Sequence, residues 1–131
     1  MGRIIAQVAI ANALDPSKEI RCPALVDTGA SGLILPAAWR AQLGELPLLR
    51  TVELETADQR LVRGEVCGPV RIQMEGFDPI ASEVTFLDMD AANGGHEPLI
   101  GYIVLEQSQA AVDMVGHRLV KVRALDLKRA A

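Results

Sequence analysis

Apolar and polar side chains alternate along much of the chain, in short runs that are typical of β-strands. From Leu48 to Thr56 the side chains alternate in this way, and Leu61 to Val66 resumes the alternation after a polar interval. Two such runs joined by a short polar tip predict a β-hairpin. Similar runs predict further strands at residues 3–14, 19–26, 33–35, 70–74, 80–87, 110–114 and 118–122, the last two forming a hairpin about Gly116 and His117.

Two segments are predicted to be short helices. Pro36 suits the first turn of a helix, good helix formers follow from Ala37 to Leu43, and Gly44 is placed to end it. The second segment runs from Tyr102 to Gln107.

Turn residues separate the predicted strands. Asp15-Pro16-Ser17-Lys18 is typical of a type I turn, and residues 88–97 predict a loop because they are rich in Asp, Asn and Gly. About eight short strands with two brief helices predict an all-β barrel or sandwich. The 131 residues have the length of one domain, over residues 1–131, and only 3% are aromatic, so we expect an aliphatic core.

Net charge and hydropathy exclude several classes of partner. The formal net charge is −4. Phosphate binding needs a basic face, so we expect no nucleic-acid partner. The chain has no polybasic membrane patch, no apolar run approaching about 18 residues and no signal-peptide pattern at its start. We therefore expect no membrane association and a cytoplasmic location.

The cysteines and histidines form no pattern typical of a metal site. Cys22 and Cys67 lack CxxC or zinc spacing and are interpreted as buried apolar thiols. His96 and His117 are isolated and are interpreted as surface polar residues. We expect neither a metal nor a cofactor.

One acidic turn carries the candidate chemistry. The apolar run Ala24-Leu25-Val26 predicts a buried strand, which ends in Asp27-Thr28-Gly29. A carboxylate at the mouth of a buried strand is costly unless it is hydrogen-bonded or used in chemistry. Gly29 allows a sharp turn and leaves room above the carboxylate. The alternative interpretation is a turn aspartate that caps local amides.

Two wider segments support a catalytic interpretation of this turn. The first comprises Val26–Ser31, Ile34–Pro36, Trp39 and Ala41–Gly44; the second comprises Pro98–Gly101, Leu105–Glu106, Ala111–Asp113 and His117–Val120. Together they resemble the single-lobe, retropepsin-like aspartic proteases of bacteria, over roughly residues 20–123. The resemblance implies a closed acid-protease barrel with one lobe per chain.

The resemblance also implies roles for particular residues. Asp27 would be catalytic in an active-site loop with Thr28, Gly29, Ala30 and Ser31, and the Thr28 position would hydrogen-bond across the catalytic pair. Leu99, Ile100 and Gly101 would pack behind that loop. The hairpin tip at Ala57, Asp58, Gln59 and Arg60 would be the flap over the substrate, although the glycine frequent at flap tips in this family is absent here.

Peptide hydrolysis by carboxylates needs two of them a few ångströms apart, sharing one proton. The chain contains only one Asp-Thr-Gly, and no other aspartate has that context. A two-fold dimer brings identical patches together, so the second carboxylate would be Asp27 of a second copy. The sequence therefore predicts a homodimeric aspartic endopeptidase that acts on a peptide or protein substrate.

The sequence motif also occurs in, or is compatible with, two other classes of protein. Sugar kinases and actin-like ATPases also carry an Asp-x-Gly turn, but their two large domains do not fit into 131 residues. A non-catalytic retropepsin fold, serving as a dimerisation or peptide-binding module, stays open at this point.

Overall fold

A computed structural model describes residues 3–56, 58–88 and 97–123, and nearly all of its regular structure is β. The strands are β1 (Ile5–Asn12), β2 (Asp15–Val26), β3 (Leu33–Pro36), β4 (Leu48–Glu55), β5 (Leu61–Met74), β6 (Ile80–Leu87), β7 (Leu99–Ile100), β8 (Ala110–Asp113) and β9 (Arg118–Lys121). A 3-10 helix (Ala37–Leu43) follows β3, and the helix α1 (Tyr102–Gln107) follows β7. The all-β prediction is confirmed.

Six strands pair in a closed circuit. Their order is β1-β2-β7-β3-β6-β5, and β5 pairs back onto β1. β4 pairs with β5 outside this circuit, while β8 and β9 form a separate hairpin, as predicted. Because the circuit closes, the barrel leaves few free strand edges.

β5 differs from the sequence prediction, which had separate strands at residues 61–66 and 70–74. The structure has one strand of 14 residues, with an irregular register between Cys67 and Val70. Pro69 cannot donate a ladder hydrogen bond, and an irregularity of this kind lets a strand continue past such a residue. As a result β5 pairs with β4 through its first half and with β1 through its second.

The core is aliphatic, as the composition predicts. Alternation places Ile72 and Met74 fully inside, while Arg71 and Gln73 on the same strand are exposed. Val104 and Leu105 of α1 join the same buried cluster. Phe86 is the one aromatic side chain among the buried residues that the structure describes.

The turn between β1 and β2 corrects the predicted type I turn at Asp15-Pro16-Ser17-Lys18. Those residues already belong to β2, and the chain reverses between Asn12 and Asp15. Asn12 is buried; its side-chain amide donates to the carbonyls of Leu43 (2.8 Å) and Glu45 (3.1 Å), and its Oδ1 accepts from the Leu14 N–H (2.8 Å). These bonds fix the turn at Asn12 and outweigh the local preference of Pro16.

The predicted helix at Ala37–Leu43 lies where the sequence places it, but it is a 3-10 helix. Such tighter helices are common in short connectors. Gly44 ends it as predicted, with a left-handed φ of 67° and its N–H bonded to the Ala41 carbonyl. The predicted loop at residues 88–97 falls mostly outside the described residues.

Candidate active site

Asp27 lies at the end of β2, at the mouth of the barrel. Val26 pairs in parallel with Ile100 of β7, and the Asp27 N–H donates to the Ile100 carbonyl at 2.9 Å. The Asp27 side chain is half-buried, and Thr28 and Gly29 after it are exposed. The pairing of β2 with β7 thus holds the carboxylate at the protein surface.

The loop after Asp27 folds back on the carboxylate. The Gly29 N–H donates to Asp27 Oδ1 at 2.9 Å, and the Ala30 N–H donates to the Asp27 carbonyl at 3.1 Å. A Cβ at Gly29 would lie 3.2 Å from Oδ1, closer than most such contacts, so glycine keeps the approach to the carboxylate open.

α1 holds the other end of this loop. Three successive N–H groups at its start, those of Gly101, Tyr102 and Ile103, donate to the loop carbonyls of Gly32, Ala30 and Ser31 at 2.8–3.0 Å. The first amides of a helix have no partner within the helix, and here they bond to the loop. Residues 99–101 and the Asp27–Ser31 loop are therefore in direct contact.

Gly101 allows that contact. A Cβ built on Gly101 would come within 2.6 Å of the carbonyl oxygens of both Ala30 and Ser31. Real Cβ atoms essentially never approach so closely, so only glycine fits here.

A cavity of about 370 Å³ opens beside Asp27 and Thr28. The C-terminal hairpin lines it through Val112, Met114 and His117, which the sequence analysis did not assign to the site. The one available signal was composition: Met114 and Val115 occupy a hairpin tip, where polar residues are usual, and their side chains are 57% and 93% exposed.

The tip of the β4–β5 hairpin is tied together by polar bonds. Asp58 accepts from the Thr56 hydroxyl and from Arg60 Nε (2.9 Å), and the Thr56 N–H donates to the Arg60 carbonyl. The Thr56 bond, with Arg60, lowers the pKa of the Asp58 carboxyl. Gln59 adopts a left-handed φ of 66°, the conformation that glycine would supply most easily.

The predicted tip residue Ala57 lies outside the described residues. Asp58, Gln59 and Arg60 are not among the residues that line the cavity beside Asp27. The described part of the chain contains no group of three or more His, Cys, Asp and Glu side chains arranged to hold a metal ion. None of its helices has the length and hydrophobicity to cross a bilayer.

Comparison with known proteins places this geometry in a fold class. No protein-family model and no curated protein matches the sequence. Among solved structures, EIAV protease complexed with the inhibitor HBY-793 aligns with a TM-score of 0.56 and 20% identity, over 80% of this chain and 86% of that one. The retroviral protease-like domain of Ddi1 from Leishmania major aligns with a TM-score of 0.51 and 17% identity, over 92% and 90%. The chain therefore has a retropepsin-like fold, as the sequence resemblance implies.

Proposed function

We propose that the protein is an aspartic endopeptidase, active as a homodimer in which Asp27 of each copy contributes one carboxylate to the catalytic pair. The observation that carries the proposal is the placement of Asp27 in this fold. It lies in a glycine-shaped loop at the barrel mouth, with its carboxylate accepting the Gly29 N–H. The structural neighbours include a retroviral protease, which supports the same chemistry.

The dimer follows from the number of carboxylates. One chain supplies one Asp-Thr-Gly loop, and the reaction needs two carboxylates in contact. Thr28 and Gly29 are exposed in the single chain, and the exposed Met114 of the C-terminal hairpin lines the same cavity as Thr28. Burial of such a patch against its own copy would stabilise a two-fold pair.

In this dimer the two carboxylates would share one proton, because two like charges that close cannot both ionise. The ionised carboxylate takes a proton from water, and the water attacks the scissile carbonyl. The protonated carboxylate donates a hydrogen bond to the carbonyl oxygen and polarises it. The Gly29 N–H keeps the Asp27 side chain oriented toward the second copy.

The test compares the native chain with Asp27→Asn on a library of peptides. The substitution is nearly isosteric but removes the acid, so hydrolysis should be abolished while the fold is retained. Asp15→Asn is the matched control, because Asp15 is exposed at the opposite end of β2, where its carboxylate accepts a hydrogen bond from the Ser17 hydroxyl. Specific activity of the native chain should also fall on dilution, as the copies separate.

Hydrolysis that survives in purified Asp27→Asn would refute the assignment. A native chain that dimerises and binds peptides without cleaving any would instead be a non-catalytic peptide-binding module.

A further inference from the structure

A second cavity, of about 560 Å³, begins at Ser31 and Gly32 of the active-site loop. Its walls come from β4, β5, β6 and α1. This volume falls within the range of about 300–1,000 Å³ that is usual for ligand pockets. Because Ser31 and Gly32 line it, the cavity adjoins the loop that carries Asp27.

The walls of this cavity are mainly aliphatic. They include Leu33, Leu49, Val52, Leu54, Val66 and Ile103. Hydroxyl and amide groups of Ser31, Ser82, Thr85 and Gln107 add some polarity, and no aromatic ring takes part. An aliphatic side chain that entered would exchange water for aliphatic contacts, which is favourable in proportion to the area buried.

Among the described residues that line the cavity, Arg50 and Glu83 are the charged ones, and their charges are opposite. Arg50 Nη1 donates to Glu83 Oε2 at 3.0 Å, and Nη2 donates to Oε1 at 2.6 Å. Such two-point contacts fix the relative orientation of the two groups. The two side chains are 54% and 43% exposed, so water weakens the attraction between them. The same hydrogen bonds lower the pKa of the Glu83 carboxyl, so Glu83 is ionised at neutral pH.

The pair reaches across a strand. Arg50 lies on β4 and Glu83 on β6, and β5 runs between them. Arg50 is opposite Val66 of β5, and Val66 is opposite Thr85 of β6. Glu83 lies two residues before Thr85 on β6, so its side chain is on the same face of the sheet as Thr85. The ion pair therefore belongs to the wall of the cavity.

We propose that this cavity is a specificity pocket for an uncharged aliphatic side chain of the substrate, and that the Arg50–Glu83 ion pair discriminates against charged side chains. The proposal rests on the proposed peptidase function. A charged side chain that entered would lose water and meet two groups already satisfied by each other, which is unfavourable. Specificity of this kind comes from rejecting the wrong side chain as well as binding the right one.

The experiment measures kcat/KM for peptides that carry Leu, Glu or Lys at the position where a randomised library shows the strongest selection. The native protein should prefer Leu over both charged residues by about tenfold or more. Glu83→Gln leaves the Arg50 charge without its partner and should shift preference toward Glu. Arg50→Gln leaves Glu83 without its partner and should shift preference toward Lys. The double variant, with neither charge, should return to a preference for Leu.

Opposite shifts in the two single variants are the decisive result, because a purely structural ion pair would not produce them. Single variants that change kcat/KM for all three peptides by the same factor would overturn the proposal. So would a native protein that does not distinguish Leu from Glu and Lys.

Failure of the peptidase function is separable from failure of the pocket. If the native protein cleaves no peptide, the proposed function fails. Fluorescence anisotropy of the labelled Leu, Glu and Lys peptides on Asp27→Asn then tests the pocket alone. The pocket is supported if the Leu peptide binds best, and if Glu83→Gln shifts the preference toward Glu while Arg50→Gln shifts it toward Lys. Equal affinities for the three peptides overturn it.

Discussion

Gly101 lies directly behind Ser31: a Cβ built on Gly101 would be 2.4 Å from the Ser31 carbonyl carbon. The atoms that this Cβ would meet belong to the backbone, which cannot move aside as a flexible side chain can. Gly101→Ala should therefore displace the active-site loop and destabilise the fold by about 3 kcal/mol, at the upper end for overpacking. Urea unfolding measures the loss of stability, and the peptidase assay measures the loss of loop geometry.

Gly32→Ala is the control for this prediction. Gly32 belongs to the same region of the chain, but a Cβ there would meet no atom within 4 Å. The free energy of unfolding of the Gly32→Ala variant should therefore stay near that of the native protein. Equal stability of the two variants would show that the loop yields easily at Gly101.

Thr28→Ala should weaken the proposed dimer. Thr28 is exposed in the single chain, and the proposed two-fold arrangement would bury its hydroxyl as a hydrogen-bonding group. Loss of that bond should cost about 0.5–1.5 kcal/mol per copy in the dimer dissociation constant, measured by analytical ultracentrifugation. Thr28→Ser keeps the hydroxyl and should retain most of the affinity. A dissociation constant unaltered in Thr28→Ala would place Thr28 away from the axis.

Acidification should loosen the tip of the β4–β5 hairpin. The Thr56 hydroxyl and Arg60 lower the pKa of Asp58, so ionised Asp58 stabilises the tip above its ordinary pKa of about 3.9. This stabilisation is lost as the pH falls through the lower folded-state value. An NMR titration of the Asp58 carboxyl should show the pKa rising in Thr56→Val and staying low in Thr56→Ser. A titration curve that is the same in Thr56→Val and the native chain would contradict this origin of the shift.

Asn12 should be among the most sensitive polar positions. Asn12→Ala removes three hydrogen bonds and leaves the buried carbonyl of Leu43 without this donor, so we expect a loss of about 3 kcal/mol in the free energy of unfolding. Asn12→Asp keeps the acceptor for the Leu14 N–H but buries a carboxylate. Burial raises a carboxyl pKa, so this variant should lose less stability at pH 4 than at pH 7. Equal losses at both pH values would mean that water reaches the site.

Local patterns predicted most of the elements of this fold. The alternation from Leu48 to Val66 gave the β4–β5 hairpin, and the helical segment at Tyr102–Gln107 was found with the same bounds. The β1–β2 turn was wrong because Asn12 is fixed by bonds to Leu43 and Glu45, more than 30 residues away in sequence. A prediction made from neighbouring residues alone cannot include hydrogen bonds to residues so far away in sequence.

The same limit applies to the candidate site. The Asp27 loop carries a recognisable motif, so the sequence could indicate it. Met114 and His117 lie beside Asp27 only because the C-terminal hairpin folds back across the barrel mouth. That proximity depends on tertiary packing, which neither spacing nor alternation encodes. The Arg50–Glu83 pair was missed for the same reason, since its members are 33 residues apart on strands that do not touch.

The unbroken course of β5 has a mechanical consequence. One continuous strand is hydrogen-bonded to β4 in the β4–β5 hairpin and to β1 through its second half. A strand resists stretching, so displacement of the hairpin along its own axis loads the β1–β5 ladder as well. Sideways bending meets less resistance at Cys67–Val70, where the register is already interrupted. We therefore expect the hairpin to resist displacement along its axis more than bending across it, with the bend at Cys67–Val70.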